Sequence, residues 1–428
     1  MNPILLGSIF SIFIQNFIGY LKFKKLINPI FLFSIIHFFH NWSFSFSKYF
    51  NDIIFWRADP TAVSYATMYD VLYINLVGSW SFFMIVIVFA KTKKFNEYYK
   101  IINKQKLLYG YYILSSIFAL RFFIGLGAGL AYGENQALDS MSSFDPISRI
   151  LYLRVILCVI YILTTSLSRA QFLKILIIEI FLSTAMGERK DFVIIFLSYF
   201  IPMINNLNIN LIMFLRYSLY SVVGTSFLLF IPIYRSINYT NGFYNQLKEV
   251  GFLINEYGNQ IIFYALNLVN SEGVQNWTYQ LIENGEMGLL YGKSYLQAII
   301  NMIILRPFQG DSIASWQGAY HFKNIAYPQV TNQGWDFTFT AEAIQNFGPN
   351  FAFISFIILG IFVSYFYRNR NLSDFYSILY YFTWPILAVS FRTDSTAMLR
   401  IFSYIIFVCI ILYYTCLLYT SPSPRDLR

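Results

Sequence analysis

The residues best suited to chemistry in this chain are arginines beside short polar turns, together with one glutamate and one histidine. Arg189 sits in GERKDF, Arg392 in FRTDS with Arg400 close behind it, and Arg235 directly after an apolar run in IPIYRSINYT. Arg149 and Arg154 open another apolar run. A guanidinium is planar, always charged, and grips two phosphate oxygens through parallel hydrogen bonds. Several of them in short turns at the ends of apolar runs fit a phosphorylated ligand at a membrane surface. The Asp394-Ser395-Thr396 stretch has the pattern of a helix cap, so backbone N–H groups there are also expected to face an anion. Glu342, two residues after Thr340 (itself placed to cap a helix), is the carboxylate of its polar stretch nearest the apolar run that follows. It fits either a proton acceptor or a group that stabilises a helix N-terminus. His321 is the one histidine outside the apolar runs and titrates near neutral pH. Neither fixes a mechanism alone.

The elements that must position these residues are membrane helices. Of 428 residues, 57% are hydrophobic and 12% charged, with a mean hydropathy of +0.53. Soluble domains carry about 25% charged residues. Runs of about 18 or more apolar residues recur, each long enough to cross a hydrocarbon core as a helix. The net charge of +9 is not gathered on one face or tail, which argues against a nucleic-acid partner. It punctuates the ends of apolar runs, as the positive-inside rule requires. Cys158, Cys409 and Cys416 lie in hydrophobic segments without metal-site or disulfide spacing. The first run, residues 4–20, lacks a basic leader and a small-residue cleavage site, and is expected to be a helix.

Taken in order, the runs predict an all-α polytopic protein of about eleven spans, N-terminus out and C-terminus in. Residues 1–231 supply about eight spans. They include residues 27–46 as the second, a third ending in the lysine-rich KTKKFNEYYKIINKQK, and a close pair flanking GERKD. Arg121 falls near the middle of the fourth, on one helical face with Gly125, Gly129 and Gly133. Residues 232–344 form a long extracytoplasmic loop, and loops of such length are usually functional. Residues 345–418 return to the membrane for about three spans. The tail, 415–428, resembles translated sequencing-adapter read-through and is expected to be foreign to the protein.

No phosphate-binding glycine loop, zinc spacing or metal-suited aspartate pair is present, so no cofactor or metal is expected. The short inner loops leave no room for a nucleotide-sugar site. The expected substrate is therefore one already activated on a lipid. Trp277, Trp316 and Trp335 are available to stack on sugar faces.

In order along the chain stand GERKDF, then GKSYLQAIINMIILRPF, then TFTAEAIQNFGPNFAFISFIILG, then FRTDS. This series resembles the Wzy-type O-antigen and capsular oligosaccharide repeat-unit polymerases. The matching positions are Gly187 and Arg189, then Gly292 with Arg306 and Pro307, then Glu342, Asn346, Phe347 and Gly348. The likeness covers roughly residues 180–400. It departs at Arg306-Pro307, where that family often has Pro-Arg. The resemblance implies a metal-independent membrane glycosyltransferase with a fold like the GT-C polymerases and ligases, in the bacterial inner membrane. Growing glycan would leave undecaprenyl diphosphate for a lipid-linked repeat unit, with a chain-length regulator and a flippase as candidate partners. It implies diphosphate contacts from Arg189, Arg392, Arg235, Arg400 and Arg306, and proton removal by Glu342 or His321. Two alternatives stay open: an O-antigen ligase of the same fold, which would rely on a loop histidine, and a lipid-oligosaccharide flippase. Arg121 would suit the flippase; the long loop opposes it.

Overall fold

A computed structural model describes residues 3–25, 27–42, 65–91, 104–125, 146–165, 167–186, 190–205, 252, 255, 272–303, 316–326, 328, 337–391 and 394–420. Among these residues every regular element is helical and none is a strand. The first half carries α1 (Pro3–Phe23), α2 (Pro29–Asn41), α3 (Tyr65–Phe89), α4 (Lys104–Gly125), α5 (Pro146–Thr164), α6 (Arg169–Met186) and α7 (Lys190–Asn205). The second carries α8 (Glu272–Glu283), α9 (Lys293–Ile303), α10 (Gly318–Ala326), α11 (Phe339–Phe347), a 3₁₀ turn (Pro349–Phe351), α12 (Phe353–Asn369), α13 (Asp374–Ser390) and α14 (Ser395–Thr420).

Three described helical stretches are both long and apolar enough to cross a membrane: Ile4–Phe23, Thr67–Phe89 and Pro349–Asn369. The eighth expected run and all of residues 232–271 except 252 and 255 lie outside the described residues. The second run differs from its expectation. Asn28 caps the helix with its side-chain oxygen on the N–H groups of Ile30 and Phe31, Pro29 occupies the first turn, and the helix ends at Asn41. Thirteen residues span about 20 Å, short of a hydrocarbon core. Its His37, His40 and Asn41 are buried in the protein, with the His40 ring 2.9 Å from the Ala388 carbonyl oxygen.

The bundle is centred on α3 against α12. A Cβ on Gly78 would lie 2.6 Å from the Phe356 ring, and one on Gly360 would lie 3.0 Å from Ile85. Each helix thus carries a glycine where its partner's side chain seats, the small-residue device that lets apolar helices approach closely. Aromatic packing continues inward, with Phe33 stacked on Phe82 at 3.8 Å between ring centroids.

The structure corrects the expected role of Arg154. Its guanidinium is 2% exposed and pairs with Glu179 of α6 and, at 2.5 Å, with Asp191 of α7. Tyr111 of α4 donates to Glu179 at 2.8 Å, and the guanidinium lies over the Phe118 ring. Charges among apolar helices are stable only when paired. Arg154 therefore ties α4, α5, α6 and α7 together and is not free for a ligand. The side chains of Arg121 and Arg149 lie outside the described residues.

Candidate active site

Three stretches distant in sequence meet at Glu342. Thr338 caps α11 by accepting from the Ala341 N–H at 3.0 Å, which fixes Glu342 in the first turn. At the other end, Gly348 adopts φ +76°, a conformation costly for residues with a Cβ. The segment before α9 docks on that end: the Leu290 and Tyr291 N–H groups donate to the Gln345 and Asn346 carbonyls, both at 2.9 Å. Positive φ values at Tyr291 (51°) and Gly292 (82°) then turn the chain so that α9 starts beside α11. The Phe339 N–H donates to the Phe391 carbonyl, holding the end of α13 and hence the start of α14 against the same helix.

The result is a buried polar cluster. Ser294, in the first turn of α9, donates to Glu342 Oε1 at 2.5 Å. Ser395, the first residue of α14, donates its hydroxyl to Oε1 and its backbone N–H to Oε2, each at 2.7 Å. Asn346 spans the pair, donating to Ser294 Oγ at 2.7 Å and to the Glu342 carbonyl at 2.8 Å. The anion facing the N-terminus of α14 is thus the chain's own glutamate. Asp394 lies next to it, 3% exposed, and accepts from Gln317 Nε2 at 2.7 Å.

The electrostatics follow from this packing. Glu342 is fully buried, and burial is the largest influence on its carboxyl group; the neighbouring Asp394 carboxylate adds to it. Together they push its pKa up to about 7, against the donors from Ser294 and Ser395, which act the other way. Opposed influences of this kind leave a carboxyl group that exchanges a proton near neutral pH.

His321 lies on α10 one turn after Gln317, whose carbonyl accepts its backbone N–H at 2.9 Å. The ring is partly buried, and that burial lowers its pKa, which favours the neutral imidazole. Arg400 is exposed on α14. Arg189, Arg235, Arg306 and Arg392 lie outside the described residues, as does Pro307.

A second polar chain leaves the cluster from α11. Thr340 donates to Asn75 Oδ1 of α3 at 2.9 Å, Asn75 donates to Gln275 Oε1 of α8 at 3.0 Å, and Gln275 donates to Asn41 of α2. All four residues are buried. Sequence reasoning missed Asn75, Gln275, Asn41 and Ser294, and it took Thr340 for the helix cap, a place that Thr338 holds. A visible signal was Asn75, an amide midway along a 25-residue apolar helix, where a polar side chain must find a partner in another helix. Asp394 and Ser395 were legible as a cap but not as neighbours of Glu342.

No family model, curated protein or solved structure matches the chain.

Proposed function

We propose that the chain polymerises lipid-linked oligosaccharide repeat units at the outer face of the bacterial inner membrane, for O-antigen, capsule or exopolysaccharide. The observation that carries this reading is the meeting of GKSY, TAEAIQNFG and the last two residues of FRTDS around Glu342. These belong to the stretches whose order resembles the repeat-unit polymerases, and they are 48 and 53 residues apart where they touch. The reading includes about eleven spans and a fold like the GT-C polymerases and ligases.

In this reaction the hydroxyl oxygen of a lipid-linked repeat unit attacks the anomeric carbon of the growing glycan. The bond from that carbon to undecaprenyl diphosphate breaks, and the diphosphate leaves with its lipid. Arg189 and Arg392, with support from Arg235, Arg400 and Arg306, neutralise the charge that develops on the leaving group. Arg392 stands two residues before Asp394 in the sequence. Glu342 takes the hydroxyl proton. Because its carboxylate is enclosed, the proton passes through Ser294 or Ser395, whose hydroxyls both donate to it. His321 is the alternative acceptor.

The test uses purified protein and a synthetic undecaprenyl-diphosphate repeat unit, without nucleotide or added metal. A ladder of lipid-linked products is expected, lost in Arg189→Ala and in Arg392→Ala. Transfer of glycan only to a lipid A core would identify a ligase instead. A ladder surviving both substitutions would remove the arginines from the site.

A further inference from the structure

Helix α9 is built inside out for a segment bathed in water. Its buried stripe is Ser294, Gln297 and Ala298, at the i, i+3, i+4 spacing of one helical face. Its outward side carries Leu296, 50% exposed, and Ile299, 49% exposed. A helix on a water-facing roof hides its apolar side and shows its polar one. The reverse order is what hydrocarbon surroundings select, since lipid favours outward apolar side chains and drives polar ones toward the protein.

The direction of α9 agrees. Ser294 and Ser395 each stand in the first turn of their helix and share the same oxygen of Glu342. Gln297, one turn further, lies 3.4 Å from Thr396, and α9 packs along α14. The two helices therefore leave the cluster side by side in the same direction. The Tyr295 hydroxyl is 2.7 Å from Ser355 Oγ, already inside the apolar stretch Pro349–Asn369. Further along, α14 also turns apolar groups outward, at Phe407, Ile410 and Ile411. Eleven residues of helix reach about 16 Å, roughly half the thickness of a hydrocarbon core.

From this geometry we infer that α9 is a re-entrant helix, inserted alongside α14 with Leu296 and Ile299 against the acyl chains of the bilayer. The inference rests on the reading of the chain as a membrane protein and not on its activity. It takes residues 293–303 out of the extracytoplasmic loop expected over residues 232–344, and it makes α9 a wall between the Glu342 cluster and lipid.

Nitroxide labels on single cysteines test it, in protein whose Cys158, Cys409 and Cys416 are replaced by alanine and which is reconstituted into phospholipid vesicles. The variants are Leu296→Cys and Ile299→Cys, with Phe407→Cys as the lipid reference and Asn284→Cys, in the exposed turn after α8, as the water reference. The ratio of oxygen to nickel-chelate accessibility at 296 and 299 is expected to match that at 407 and to exceed that at 284 several-fold. A ratio matching 284 would overturn the inference. So would labels shielded from both reagents, which would show a protein partner on this face. Should the cysteine-free protein not fold, a benzophenone amino acid at 296 or 299 of the natural chain gives the same reading. Crosslinks to phospholipid support insertion, and crosslinks only to protein or to water-soluble quencher oppose it.

Discussion

At Glu342, one carboxylate satisfies three donors from two helices that would otherwise end in buried, unpaired groups. Glu342→Ala leaves the Ser395 N–H and both serine hydroxyls without this acceptor, at about 1–3 kcal/mol for each buried group left unsatisfied. A clear fall in the thermal midpoint of the detergent-solubilised protein is expected. Glu342→Gln should largely restore the midpoint, because its amide oxygen can accept from the N–H while its NH₂ donates to hydroxyls that also accept. The raised proton affinity has a sign that can be measured. The folded carboxyl group keeps its proton up to about pH 7, whereas an unfolded one releases it near 4.5. Between these values the folded state binds more protons, so this residue's contribution to stability falls as pH rises through the window and is flat above it. A shift of this size corresponds to about 3 kcal/mol at most. The wild-type midpoint should therefore decline between pH 5 and 8 relative to Glu342→Gln; parallel profiles would contradict the assignment. Glu342 was legible in the sequence because it is a carboxylate just ahead of an apolar run. Its partners were not, because a serine two residues into a helix carries no local sign of a contact some fifty residues away.

Among the elements, α3 and α12 depend on glycines that receive the other helix's side chains. Gly78→Ala places a Cβ where the Phe356 ring stands, and overpacking of this kind costs about 1–3 kcal/mol. A lowered midpoint is expected, partly recovered by Phe356→Leu in the same chain; an unchanged midpoint for Gly78→Ala would show that the pair is not closely packed. The apolar periodicity made both helices readable. It misjudged α2, where a run of residues 27–46 suggested a full span. The cap at Asn28 with Pro29 and the stop at Asn41 were local signals outweighed by hydrophobicity. They mark a short helix with most of its surface against protein, which is also why His37, His40 and Asn41 can be buried there. The amphipathic character of α9 was hidden for a different reason. Its composition is ordinary, and only burial shows which side faces inward.

At the scale of the whole molecule, two buried charged centres stand out among the described residues: Arg154 with its carboxylates among α4 to α7, and Glu342 among α9, α11 and α14. Arg154→Ala strands Glu179 and Asp191 without their cation. Breaking a buried pair costs about 3–5 kcal/mol. Loss of folded protein on gel filtration is expected, with recovery when Glu179→Gln and Asp191→Asn are added. Recovery would show a structural role, and failure of the triple variant with intact Arg154→Ala would contradict it. The first centre was read from sequence as part of an anion-binding set, because charge position relative to the membrane is visible there and pairing between helices is not. The second centre is where turnover is proposed, and one measurement addresses it most directly. Purified Glu342→Gln protein, with a thermal midpoint near that of the wild type, would be given the undecaprenyl-diphosphate repeat unit and its products resolved by length. The expected result is a folded protein that makes no ladder, because the amide cannot take the hydroxyl proton. A ladder of wild-type length and rate would contradict the assignment of chemistry to this cluster.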